Sequence, residues 1–219
     1  MAEIKAIETE YNGYRFRSRL ETRWAVFFDA LGIEYQYETE GFEAPTYNGQ
    51  EKVFYLPDFY LPKINIYCEV KGTDKALFAD SEKIGHMIDF NSSPVTNGLL
   101  ILGEIPNPET FDWGNFPMFS YLYWHKGVVH DYASFLFVPR QGFTLVRGSA
   151  EIMKAVFSYK DPEGDTACIP QSASTKCCWT LNSLRANSLD HPHTKALIDA
   201  YKAARQARFE HGETPKIVR

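Results

Sequence analysis

The sequence predicts an α/β chain, a mixed sheet with helices packed against it. Three observations lead there. One amphipathic helix opens the patterned region, three strand-like segments follow it, and a second helix leads into the wholly apolar run Leu99-Leu100-Ile101-Leu102. An apolar run that short suits a central strand buried on both faces. A helix, three strands, a helix and a strand pack most simply as a sheet with helices on its faces.

The first helix is the clearest element. Leu20, Trp24, Phe27, Phe28 and Leu31 recur with helical period, so they form one apolar stripe. Ser18 is placed to cap its start, with Glu21 three residues on as in a capping box, and Gly32 stops it. Residues 33–38 alternate like a half-buried strand. A loop is expected over 41–50. Val53 to Leu61 reads as a strand interrupted at Pro57, and Ile64 to Lys71 as another, ended by Gly72. Asp74 to Ile88 reads as a helix with Leu77, Ile84 and Ile88 on one face.

Three regions are expected: a polar leader over 1–13, a core over 14–104, and an α+β extension over 105–219 packed on the core. In the extension, Tyr121–Trp124, Phe135–Val138 and Phe143–Val146 read as short strands. Residues 158–180 read as a long polar loop, and His193 to His211 as a last helix bearing Lys195, Lys202, Arg205 and Arg208.

The 219 residues carry a net charge of -5, which argues against a protein permanently coating nucleic acid, since such proteins are basic. Acidic groups that hold cations, beside local basic groups that meet a polyanion, remain consistent with it. No apolar run approaches membrane-spanning length. The start, Met-Ala-Glu-Ile-Lys-Ala-Ile-Glu, lacks the apolar stretch of a secretory signal. A cytoplasmic setting with reduced thiols is expected. Cys177, Cys178, His191 and His193 could be read as a zinc site, but their spacing lacks the paired Cys-x-x-Cys form.

The chemistry concentrates in Pro57-Asp58 and, after ten intervening residues, Glu69-Val70-Lys71. Strand side chains alternate, so Glu69 and Lys71 share a face while Val70 points the other way. Asp58, at the break in the preceding strand, can come within reach. Two carboxylates and the Val70 backbone carbonyl offer the hard oxygen donors that magnesium prefers. Lys71 could orient a water or offset transition-state charge. Glu21 lies at the edge of the helix stripe and can face the sheet edge. It is equally a capping-box glutamate, and the two roles compete. Asp58, Glu69 and Lys71 could also form no more than a surface salt bridge on a strand.

The stretches Phe16-Arg-Ser-Arg-Leu-Glu21-Thr-Arg-Trp-Ala-Val-Phe-Phe-Asp-Ala-Leu-Gly32, Tyr55-Leu-Pro-Asp-Phe-Tyr-Leu-Pro62 and Cys68-Glu-Val-Lys-Gly72 resemble three motifs of the PD-(D/E)XK nuclease superfamily, in its phage and bacterial members. That resemblance covers about 14–103. It implies a restriction-endonuclease-like core and a metal-dependent nuclease, foremost a DNA endonuclease, hydrolysing phosphodiester bonds with a metal-activated water. It further implies Asp58 and Glu69 as metal ligands, Lys71 as the catalytic lysine, and Glu21 as an assisting acid that can act through water. Magnesium would be the cofactor, with manganese able to substitute, and the setting a bacterial or phage-infected cell. A homodimer would suit cutting of both strands. The extension has no counterpart in the resemblance. Two other readings stay open: a non-catalytic nucleic-acid-binding module on the same fold, and a phage or host interaction protein.

Around this constellation, Arg17 falls on the Glu21 side of the helix, one turn earlier, where a guanidinium could meet phosphate. Arg19, Lys75 and Lys83 are further candidates for substrate contact, each better explained as a solvated surface charge. Tyr14 and Phe16 could stack on bases or pack the sheet entrance. His86 and His125 could transfer protons or be structural.

Overall fold

The computed structural model describes residues 7–45, 51–88, 98–110, 117, 119–125, 128–138, 142–148 and 192–209. The chain opens with an antiparallel hairpin, β1 (Thr9–Tyr11) and β2 (Tyr14–Phe16). The expected polar leader is thus corrected at its end. Asn12 and Gly13 both have positive φ, 49° and 81°, the backbone of a two-residue type I′ turn. The Asn-Gly pair carried this signal in the sequence.

Helix α1 (Arg19–Leu31) follows. The Ser18 Oγ accepts the Glu21 N–H at 3.2 Å, and Gly32 closes the helix at φ 65°, its N–H bonding Asp29 O. Strand β3 (Gln36–Tyr37) is shorter than the alternation of 33–38 predicts, because Glu38 turns to φ 45°. Part of the expected 41–50 loop is a strand, β4 (Phe42–Pro45), paired antiparallel with β5 (Lys52–Tyr55) as a separate hairpin. The segment read as one interrupted strand is therefore two strands in different sheets, β5 and β6 (Phe59–Leu61), with Pro57 between them.

Then come β7 (Ile66–Val70), α2 (Asp74–Ala79), α3 (Ser81–Ile88) and β8 (Leu99–Leu102). The helix expected over 74–88 breaks at Asp80, which closes α2 with φ -99° and ψ 5°. Strands β9 (Phe119–His125), β10 (Val128–Val138) and β11 (Gly142–Gly148) are longer than their apolar cores suggested. Helix α4 (Pro192–Gln206) stops short of His211. The expected polar loop over 158–180 lies outside the described residues, as do Cys177, Cys178 and His191.

Among the described residues, seven strands make one mixed sheet in the order β11-β10-β9-β8-β7-β6-β3. Only β7 and β8 run parallel; the other pairings are antiparallel. The sheet continues from β8 straight into β9, so the expected boundary near 104 falls between two hydrogen-bonded strands. No helix among the described residues is long and apolar enough to cross a membrane.

Alternation in β8 explains the layers. Leu100 and Leu102 join the core under α1 and α4, with Trp24, Phe27, Phe28 and Tyr201. Leu99 and Ile101 join the core under α3 and the β4–β5 hairpin, with Phe42, Tyr55, Ile84 and Met87. All four β8 residues are buried, as a central strand requires. Phe27 stacks on Tyr201 with centroids 4.4 Å apart, which ties α1 to α4. The high aromatic content is thus largely core: Phe16 is buried, and Tyr14 packs against Phe16, Tyr35 and Tyr37.

Candidate functional site

Pairing register brings the site together. Phe59 lies opposite Cys68, so one residue further along the ladder Asp58 lies opposite Glu69. Phe59 and Cys68 face the α1 core; their neighbours Asp58 and Glu69 therefore share the opposite face. That face is covered by α3 and the β4–β5 hairpin, and both contribute to the site. From the hairpin, the Tyr55 hydroxyl donates to Glu69 Oε2 at 2.6 Å. From the α2–α3 break, Asp80 Oδ2 lies 2.5 Å from Lys71 Nζ. Lys71 Nζ also lies 2.8 Å from Glu69 Oε1. The Val70 N–H donates to Asp58 Oδ2 at 2.7 Å, and the Val70 carbonyl belongs to the same strand end.

Asp58 and Glu69 are 8% and 5% exposed, which is unusual for ionisable groups. Burial raises the Asp58 carboxyl well above its usual range, and the charges of Glu69 and Glu21 raise it further. Burial also raises Glu69, against the hydrogen bonds from Lys71 and Tyr55 that lower it. Burial alone would lower the Lys71 ammonium; hydrogen bonds to Asp80 and Glu69 outweigh this and hold it above the ordinary lysine value. The Tyr55 hydroxyl is raised by burial and by the Glu69 charge, so it stays a donor.

Glu21 approaches from the α1 side. Its Oε1 accepts from Ser18 Oγ at 2.6 Å, and its Oε2 accepts from the Arg17 N–H at 3.1 Å and the Tyr37 hydroxyl at 2.6 Å. Glu21 thus turns back onto the helix start, bonding the Arg17 N–H and the Ser18 hydroxyl in place of the Ser18 N–H of a regular capping box. Yet Glu21 is only 7% exposed and its charge acts on Asp58, so the helix end and the strand pair form one electrostatic group.

The expected phosphate contacts disperse. Arg17 Nε pairs with Glu38 Oε1 at 2.6 Å rather than entering the site. Lys75 is exposed on α2, and Lys83 Nζ lies 3.9 Å from Asp80 Oδ1. Arg19 lines a separate cavity between α1 and α4. His86 is buried on α3, with Nε2 3.8 Å from Glu82 Oε1. The His125 side chain lies outside the described residues.

Three site residues escape a reading of the sequence. Tyr55 stands three positions before Asp58 in the same motif. Tyr37 sits on the alternating segment. Asp80, a poor helix former followed by Ser81, marks a helix boundary inside what reads as one helix.

Among the described residues, no three His, Cys, Asp or Glu side chains converge as a ready-made metal cage. Magnesium does not require one; it is held by one or two carboxylates and keeps several waters. Asp58 and Glu69 fit that pattern. They are hard, buried oxygen donors whose proton affinity is raised first by burial, and for Asp58 further by the charges of Glu69 and Glu21. No family model, no curated protein and no solved structure matches the chain.

Proposed function

We propose that this chain is a magnesium-dependent nuclease of the PD-(D/E)XK type, acting on DNA. The observation that carries the reading is the assembly of Asp58, Glu69 and Lys71 on one face of β6 and β7, with the Glu21 charge in reach. The element order supports it: α1, the antiparallel β3-β6-β7, the α2–α3 crossover, and β8 parallel to β7 follow the helix, three-strand, helix, strand core that the resemblance implies. The β4–β5 hairpin is then an insertion that caps the site through Tyr55.

Asp58, Glu69 and the Val70 carbonyl would hold the ion, with Glu21 assisting. Magnesium, when bound, supplies charge neutralisation at a phosphoryl oxygen and acidity to water. The protein supplies the rest. Glu69 and Asp80 fix the Lys71 ammonium from two sides, so its remaining N–H donor can point to the substrate phosphate without reorganising as charge develops. Tyr55 locks the Glu69 rotamer, and the Val70 N–H locks Asp58.

The test is incubation with supercoiled plasmid and with single-stranded DNA in magnesium, manganese or EDTA. Cutting in either metal but not EDTA, lost in Asp58→Ala, Glu69→Ala and Lys71→Ala variants that still fold, is expected. If all three variants cut as fast as the parent, the mechanism is wrong. Metal-independent DNA binding with no cutting would favour a binding module on this fold.

A further inference from the structure

A cavity of about 380 Å³ opens between the start of α1 and the end of α4, lined by Arg19, Leu20, Arg23, Glu104, Ile105 and Arg205. Three guanidinium groups around one cavity run against the chain's overall charge of -5. Among the described lining residues one carboxylate, the exposed Glu104, stands with them, so this lining is net positive. Arg205 Nη1 donates to Ile105 O at 2.8 Å, which fixes this arginine to the segment after β8 and uses one of its five donors. Among the described residues, Arg23 Nε is shut off from solvent without a hydrogen-bond partner. Such a group calls for an acceptor that the described residues do not provide.

The cavity adjoins the candidate active site. Leu20, in its lining, lies against Gly72, the residue after Lys71; a Cβ on Gly72 would sit 3.3 Å from Leu20 Cδ2. Glu104 is shared with a second cavity of about 340 Å³, whose wall includes Lys71 and Gly72. The Trp24 indole N–H bonds Gly103 O at 2.9 Å and holds α1 against the end of β8, fixing the spacing between the two cavities. A nucleic-acid strand leaving Lys71 across residues 103–105 would pass the arginines.

We propose that Arg19, Arg23 and Arg205 bind a backbone phosphate of the nucleic-acid strand, flanking the phosphate that is cut. The assignment rests on the nuclease reading for its substrate. A planar guanidinium fork matches two phosphate oxygens, and three forks from two helices fix the strand's position. Affinity would then fall with salt in proportion to the phosphates neutralised.

The experiment uses the full chain carrying Glu69→Gln, in EDTA, with a fluorescein-labelled 16-base-pair duplex followed by anisotropy from low to moderate salt. Adding Arg19→Gln and Arg23→Gln is expected to weaken binding at least tenfold and to flatten the slope of log K against log salt by about 0.9 for each phosphate no longer neutralised. Arg15→Gln, on β2 and outside the lining of this cavity, should leave the slope unchanged. Arg205→Lys keeps a charge and a donor for Ile105; it should weaken binding several-fold with little change in slope and with the parent's melting temperature. Unchanged affinity and slope in folded double variants would overturn the assignment. Displacement of the duplex by inorganic phosphate, beyond the effect of matched ionic strength, would overturn a strand in favour of free phosphate. Should the arginine variants lose binding while the parent never cuts in magnesium, the nuclease reading fails and the phosphate site stands. Should the parent cut with its salt slope untouched by these variants, the reverse holds.

Discussion

Replacing Lys71 by Met tests whether the ammonium is what allows Glu69 to stay charged in the fold. Its Nζ lies 2.8 Å from Glu69 Oε1 and 2.5 Å from Asp80 Oδ2. At an effective dielectric of roughly 20, each contact is a gross attraction of about 6 kcal/mol. Desolvation opposes most of that, and removing one partner of a buried pair costs about 3–5 kcal/mol. The Lys71 side chain is 16% exposed and that of Asp80 32%, so the lower end, about 3 kcal/mol, applies. For a chain of this size each kcal/mol moves Tm by roughly 2–4 °C, so Lys71→Met should melt about 6–12 °C below the parent in EDTA. Much of that deficit belongs to the charge left behind. Adding Glu69→Gln removes it, and the double variant should regain about half of the stability, a coupling of about 1.5 kcal/mol. Differential scanning fluorimetry of parent, both single variants and the double variant closes the cycle. A Lys71→Met protein melting within about 2 °C of the parent, or a double variant no more stable than Lys71→Met, would refute the idea that this lysine balances Glu69.

Glu21→Gln separates two roles of one residue: glutamine serves equally in a capping box, so stability should stay within about 0.5 kcal/mol by urea unfolding. A fall of tenfold or more in plasmid cutting would then report the missing charge beside Asp58. Ser18→Ala should do the opposite, costing about 1 kcal/mol of stability and leaving cutting intact. Tyr55→Phe strips a buried donor from Glu69 and should lower urea-unfolding stability by about 2 kcal/mol. Tyr11, Tyr35, Tyr37, Tyr55 and Tyr201 have hydroxyls raised by burial first, and all but Tyr201 also by neighbouring carboxylates. Because these folded values exceed the unfolded one, the stability they confer is full below about pH 10 and is lost as pH rises above it. Absorbance at 295 nm should show them neutral in the native chain at pH 11 and ionised on unfolding; full ionisation while folded would contradict the burial described.

What could be read from the sequence was what depends on local pattern. The α1 stripe, its Ser18 cap and its Gly32 stop are written in consecutive residues, and the structure places them as read. Leu99–Leu102 announces a central strand by composition, and it lies fourth of seven. Asp58, Glu69 and Lys71 were legible because register and alternation alone put them on one face. Other features depend on tertiary pairing. Residues 42–45 follow the loop signal Gly41 and end in Pro45, yet pair with β5, an outcome that needs the partner to be seen. Arg23 looks like a solvated helix residue until α4 arrives and Arg205 closes the cavity from the far end of the chain. The Asn12-Gly13 turn and the Asp80 break were different. Both had sequence signals, outweighed by the polar composition around one and by the apolar period across the other.

The two faces of β7 explain why so much charge can be held in this fold. Ile66 and Cys68 point into the aromatic core under α1, so that face tolerates no ion. Tyr67, Glu69 and Lys71 point to the other face, where the apolar cluster of Ile84, Met87, Leu99 and Ile101 stops short of the strand end. Beyond it the hairpin and the α2–α3 break deliver polar groups, Tyr55 and Asp80, where a continuous helix and a plain loop would have delivered none. The junction of α2 and α3 keeps the Asp80 N–H bond to Ala76 O and sets a second carboxylate against Lys71 beside that of Glu69. If Glu69 holds a cation as proposed, Asp80 would keep the lysine charged and in place. The residues that distinguish a working site from a surface salt bridge are then the supporting pair, Tyr55 and Asp80, more than the Asp58, Glu69 and Lys71 pattern itself.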